Sequence, residues 1–478
     1  MDFRRERDQL GTVDIPANAY YGIHTARAAE NFPVSLRPVN MELLRSIVLI
    51  KKAAATANGR IGSLEQDKVN AIVKACDEIL NGRLQEQFVT DAYQGGAGTS
   101  VHMNVNEVLA NRALEIMGKK KGEYEFVHPL EDVNLHQSTN DVFPTALRMA
   151  AIRKLRNLSE AFAELQESIQ HKESENDKVL KLARTQLMDA VPMMAGQSFG
   201  AYARAISRDR WRLYKVEERL REINLGGTAI GTGINADKKY IFMVTELLQD
   251  LTGIGFARSE YPIDTTQNMD VFVEVSGLLK SAAVNLHKMA NDLRLLNSGP
   301  FGGIGEIRLP VCQSGSSIMP GKNNPVIPEM VAQVSMRVAA NDQAITSAAL
   351  AGQLELNAFV PLIAECLLES MEMMNRAVVL FRDKCVEGIE VRQKQCQKNL
   401  DNSAVMVTPL VPLIGFEKAS EIVGLCRKEG KSVREVLLQE TNLTSEQVDR
   451  LLNPLAVTGP GIASSEILRV NGLQEKGE

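Results

Sequence analysis

Gly315-Ser-Ser-Ile-Met-Pro-Gly-Lys-Asn-Asn-Pro-Val-Ile-Pro-Glu329 sets two hydroxyls, a lysine, two amides and a carboxylate among two glycines and three prolines. Gly315 and Gly321 permit backbone conformations closed to other residues, while Pro320, Pro325 and Pro328 withhold amide donors and stiffen the exit. Lys322 and Asn324 carry enough donor hydrogens to grip a carboxylate, and Ser316 and Ser317 can reach the same ligand. The competing reading is a solvated surface turn. A nucleotide loop is excluded, because the upstream glycine stands one position too far from Gly321 and Asn323 replaces the hydroxyl that follows the lysine in phosphate-binding loops. The stretch reads as a loop for a small dianion.

The remaining chain is large enough to support such a loop. At 478 residues with 44% apolar content it can bury the core of two or three domains, and its net charge of -5, without long runs of one sign, argues against a nucleic-acid or membrane surface. Six scattered cysteines without a C-x-x-C pair read as core residues of a reduced, cytoplasmic protein. The N-terminus Met1 to Asp8 lacks the apolar stretch of a secretory signal. The six histidines show no ligand spacing, so no metal site is assigned, and no cofactor requirement or divalent-cation site is legible.

Glycines and prolines through the first forty residues predict an irregular lead-in. Helical spacing follows over Met41 to Asn58, Gln66 to Leu80 and Val108 to Met117. Between these lies Gln94-Gly-Gly-Ala-Gly-Thr-Ser100, where Thr99 or Ser100 either caps a helix or holds an anion at its N-terminus. A second polar run, Gln137-Ser-Thr-Asn-Asp141, offers the same choice at Ser138 and Asn140. From about Thr145 the texture changes to long helices with narrow apolar seams, such as Leu279, Ala282, Leu286, Met289, Leu293 and Leu296. Four or five of them make a bundle with residual apolar faces for subunit association. Ala183 to Pro192 interrupts the bundle as a short polar segment. Gly226 to Asn235 is a poor dinucleotide fingerprint and reads as close packing and a turn. Ser432-x-x-Glu435 and Thr444-x-x-Gln447 mark capping boxes of two small C-terminal helices, and Asn471 to Glu478 is expected to fray.

Gly315-Ser316-x-x-Met319-x-x-Lys322-x-Asn324 resembles the signature of the aspartase/fumarase superfamily, and the other polar runs resemble that family's remaining loops in the same order. The resemblance covers nearly the whole chain. It implies a mainly α, three-domain fold: an N-terminal domain over residues 1–142 with two substrate loops, a central helical bundle over 143–394 carrying a third loop and the catalytic loop at about 314–326, and a small helical domain over 395–478. The bundle is expected to assemble into a tetrameric core, with each active site shared by three subunits. Thr139 and Gln186 lean toward the ammonia-eliminating branch, which converts L-aspartate to fumarate and ammonia. Some family members respond to divalent cations.

By the same resemblance Ser316 is the base that removes a Cβ proton. Thr99, Ser138, Thr139 and Ser317 hold the resulting aci-carboxylate dianion; Lys322, Asn324 and Thr185 hold the α-carboxylate; Asn140, with Thr99 and Gln186, holds the amino group. His102 stands where the family usually has Asn, Phe301 where it usually has Arg, and Val360 where relatives often place a charged residue. Those departures keep open a lyase for an N-substituted aspartate. His128-Pro129 and Ile304-Gly-Glu-Ile307 keep open a fumarate hydratase, and a non-catalytic scaffold is opposed by intact Ser316, Lys322 and Asn324.

Overall fold

A computed structural model describes residues 2–462, so the expected fraying of Asn471 to Glu478 lies outside the described residues. The chain is mainly helical, with short two-stranded pairings only among the described residues. It divides into two compact units, one of residues 1–160, 209–284 and 334–376, the other of 161–208, 285–333 and 377–478. All four internal boundaries between 208 and 376, and the one at 160, fall inside the long helices Thr139–Glu175, Ala195–Leu220, Asp270–Leu296, Val326–Leu350 and Val360–Phe381. Four of these five, all but Val326–Leu350, carry the apolar seams read from the sequence.

In the first unit, helix Met41–Arg60 packs against Gln66–Leu80 and Lys238–Thr252, and Gln66–Leu80 packs in turn against Thr99–Ile116. The seams are what hold them: Leu44, Ile47, Val48, Ile72, Cys76 and Leu109 are all buried. Such side chains contribute about 1.5 to 3 kcal/mol each on full burial. In the second unit a small cluster of Leu410, Ile422, Leu437, Val448 and Leu451 closes the C-terminal helices. Both capping boxes form there, Ser432 with Glu435 and Thr444 with Gln447.

The structure corrects the expected lead-in. Residues Phe3–Asp8 and Gly11–Pro16 form an antiparallel hairpin, and Ile23–Asn31 is a helix. That helix has no side-chain cap of its own. The carboxylate of Glu107, buried in helix Thr99–Ile116, instead accepts from the backbone N–H groups of Gly22, His24 and Thr25 at 2.8, 2.8 and 3.1 Å. A cap delivered from a distant helix leaves no local signal to read.

Candidate active site

The second polar run is held from below. Ser138 accepts from the N–H of Asn140 at 3.3 Å, so it does cap helix Thr139–Glu175, but accepting leaves its hydroxyl proton able to donate. Asp141, fully buried, accepts from the N–H groups of Ser138, Gly226 and Thr228 at 3.0, 3.1 and 3.0 Å. Burial pushes its carboxyl up to about 6, against the pull of those amides and of Lys51. Lys51, also fully buried, donates to Asn134 Oδ1 at 2.8 Å and Gln137 Oε1 at 2.9 Å. Burial drives its ammonium well below the ordinary lysine range, with Asp141 opposing. The Asn140 side chain donates to the carbonyl of Ala229 at 2.7 Å, which leaves the amide oxygen as the group to receive an ammonium hydrogen.

Lys51 and Asp141 were not named as site residues from the sequence. Their signal is the lysine pair Lys51-Lys52 inside the apolar run Ser46 to Ala55 and a carboxylate closing a polar one. The glycine-rich Gly226 to Asn235 segment is close packing, as read, since a Cβ on Gly231 would lie 2.4 Å from the Ile263 nitrogen. It also supplies the amides that grip Asp141.

The first polar run ends at Gly98, whose φ of +95° places it at the N-cap of helix Thr99–Ile116 with no side-chain cap. The capping alternative at Thr99 or Ser100 is therefore not realised. A Cβ on Gly98 would fall 2.3 Å from the ring of Phe143, so only glycine lets helix Thr139–Glu175 close over this turn. Thr99 is exposed and donates to the carbonyl of Gly96 at 2.8 Å. With its proton so engaged it presents lone pairs, which suit an amino group better than a carboxylate. The two runs are joined one turn further on, where His102 Nδ1 lies 2.7 Å from Thr139 Oγ1.

In the second unit, the Ala183 to Pro192 segment is not a plain loop. Strands Leu180–Thr185 and Met188–Met194 pair antiparallel, and the two residues at the tip, Gln186 and Leu187, have φ of +54° and +65°. A two-residue turn of this hand normally takes Asn-Gly or Asp-Gly. Thr185 and Gln186 thus sit at an exposed, conformationally costly hairpin tip, flanked by exposed Leu187 and Met188. Buried Glu306 anchors the tip end of the hairpin by accepting from Arg184 at 2.9 Å, and also accepts from Asn399 at 3.0 Å.

Residues 315–325 form an irregular loop that feeds helix Val326–Leu350. Its two ends touch: Asn324 donates to the Gly315 carbonyl at 2.8 Å, and a Cβ on Gly315 would lie 2.2 Å from the Lys322 carbonyl oxygen. Inside this ring Ser316 Oγ accepts from the N–H groups of Ile318 and Met319 at 3.2 and 2.9 Å. Ser317 and Lys322 are exposed, as are Ile318 and Met319. Lys322, Asn324 and Phe301 share the wall of a cavity of about 860 Å³, with Phe301 99% exposed. Among the described residues no group of three or more His, Cys, Asp or Glu side chains is placed to hold a metal ion.

The predicted residues therefore fall into two groups, Thr99, Ser138, Thr139 and Asn140 in the first unit and Thr185, Gln186, Ser316, Ser317, Lys322 and Asn324 in the second.

Two family models match the chain, the family described as Lyase over residues 11–340 and that described as Fumarase C C-terminus over residues 406–459. Aspartate ammonia-lyase of Bacillus subtilis is 45% identical over 98% of both chains, and that of Escherichia coli K12 is 45% identical over 95% of both. Among solved structures, fumarate lyase:delta crystallin from Brucella melitensis bound to cobalt superposes with a TM-score of 0.93 at 46% identity, covering 96% of this chain and all of that one. A class II fumarase from Schistosoma mansoni gives 0.92 at 33% identity, over 96% of this chain and all of that one. The chain belongs to this lyase family, the aspartase/fumarase superfamily. It is a carbon–nitrogen lyase.

Proposed function

We infer that this enzyme is an aspartate ammonia-lyase, eliminating ammonia from L-aspartate to give fumarate, and running in reverse when fumarate and ammonia are supplied. Near-full-length identity to enzymes of that name supports the reading. The single structural observation that carries the chemistry is the pair of backbone amides donating to Ser316 Oγ.

A serine hydroxyl is about six pKa units too basic to work near neutrality, and at 1.36 kcal/mol per unit its ionisation costs about 8 kcal/mol. Hydrogen bonds to a charged acceptor contribute about 1.5 to 3 kcal/mol each, so two amides offset about 3 to 6 kcal/mol. The Lys322 ammonium and exclusion of water when the loop closes supply the rest. The Ser316 alkoxide then takes the Cβ proton, and the C–H electron pair moves into the β-carboxylate. Ser138, Thr139 and Ser317 donate to that dianion as an oxyanion hole would. Collapse of the dianion forms the Cα–Cβ double bond while the C–N pair leaves with the nitrogen as ammonia, and Ser316 releases its proton to solvent. Lys322, Asn324 and Thr185 hold the α-carboxylate. Asn140, with Thr99 and Gln186, holds the amino group.

The exposed hairpin tip carrying Thr185 and Gln186 supports a homotetramer in which three subunits build each site. No helix among the described residues is long and apolar enough to cross a membrane; a cytoplasmic location is part of this proposal, as is turnover without an added cofactor. The test is to incubate the enzyme with fumarate plus ammonia, and separately with fumarate in water, and identify the product by chromatography. Aspartate is expected from the first mixture alone. Malate without aspartate would overturn the reading in favour of a hydratase.

A further inference from the structure

His102 is 1% exposed, and its Nδ1 lies 2.7 Å from Thr139 Oγ1, while its Nε2 is buried with no hydrogen-bonding partner among the described residues. Its neighbourhood keeps the ring neutral: burial first, and the Lys51 charge second, hold the imidazole well below its ordinary value. A neutral ring carries one proton, and the two placements have opposite consequences. With the proton on Nε2, a buried N–H is orphaned, and Nδ1 accepts the only proton that Thr139 has. Thr139 would then offer an anion nothing but lone pairs. With the proton on Nδ1, the ring donates to Thr139 Oγ1 and leaves the threonine proton free. The orphan is then a bare nitrogen lone pair, the less costly group to bury unpaired.

We propose that His102 is a positioning residue that donates from Nδ1 to Thr139, thereby committing the Thr139 hydroxyl proton to the anionic substrate. The inference rests on the reading of Thr139 as a substrate contact. It gives a chemical role to a departure from the family pattern: the ring does the work of fixing which partner the hydroxyl faces. It also places the fixing group on the helix that begins with Thr99, so the first and second polar runs are set relative to one another by this bond.

The test is kinetic and spectroscopic. Thr139→Val should lower kcat by ~10²-fold or more, the loss expected for a donor to a developing oxyanion. His102→Leu should lower kcat by ~10-fold with little change in KM, because the donor acts on charge that develops in the transition state. His102→Asn, which can still donate, should recover most of that loss, and His102→Leu added to Thr139→Val should cost nothing further. A merely structural His102 would instead give equal, additive losses in both backgrounds, which overturns the proposal. If Thr139→Val itself turns over normally, the reading of Thr139 fails. Nitrogen-15 NMR of the unmutated enzyme, labelled at histidine, needs no variant to fold: an Nδ1-protonated ring assigned to His102 supports the proposal, and an Nε2-protonated one overturns it.

Discussion

The Ser138–Asp141 run and the 315–325 loop carry similar chemistry on opposite kinds of support. Beneath the first lie a buried lysine, a buried carboxylate with three backbone donors, and a buried histidine. The second is fastened by one side-chain bond across its base and by two amides turned inward onto Ser316, with Ile318 and Met319 standing in solvent. Groups that hold a dianion gain from being fixed before it forms, since preorganised donors need no rearrangement during reaction. A base that is too strong for water gains from staying open until substrate arrives. On the proposed function, the difference is a division of labour between a receiving surface and a closing one.

Three experiments break or sharpen that division. Replacing the proposed base on the exposed loop, Ser316→Ala, should lower kcat by about 10² to 10⁴ or more while shifting Tm by less than about 2 °C, since the residue supports no core. Near-normal turnover would sink the assignment of Ser316. On the fixed side, Lys51→Met leaves the Asn134 and Gln137 oxygens without their donor and should cost about 2 to 4 kcal/mol of stability. Amide exchange read by mass spectrometry should then rise across residues 134–141 and stay unchanged across 315–325; equal change in both would dissolve the contrast. The smallest effect is in pH. The folded Asp141 carboxyl sits at about 6, above about 3.9 for the unfolded chain, so its contribution to stability is full below the unfolded value and is lost as pH rises through the folded one. Between pH 5 and 7 that amounts to about 1 kcal/mol, and thermal midpoints of Asp141→Asn across that range should lack this component.

How far the sequence foretold these features follows from where their partners lie. Apolar seams are local, so helix Gln66–Leu80 and four of the five long helices could be read directly, and so could the capping boxes at Ser432 and Thr444. The 315–325 loop was legible because its glycines, prolines and hydroxyls are contiguous. What escaped reading depends on contacts distant in sequence. Lys51 meets residues more than eighty positions away, and the Asp141 carboxylate is held by Gly226 and Thr228. The hairpin at 180–194 escaped because its tip, Gln186-Leu187, lacks every residue that normally marks such a turn.

The distant cap on helix Ile23–Asn31 bears on the order in which the chain acquires structure. The N–H of Ile23 donates to Glu6, but those of His24 and Thr25, with Gly22 before them, meet a carboxylate more than eighty residues downstream, at Glu107. Closing that loop is an entropic cost met before any reward. During synthesis helix Ile23–Asn31 therefore lacks this cap until the helix bearing Glu107 has emerged, which makes it one of the later parts of its unit to settle.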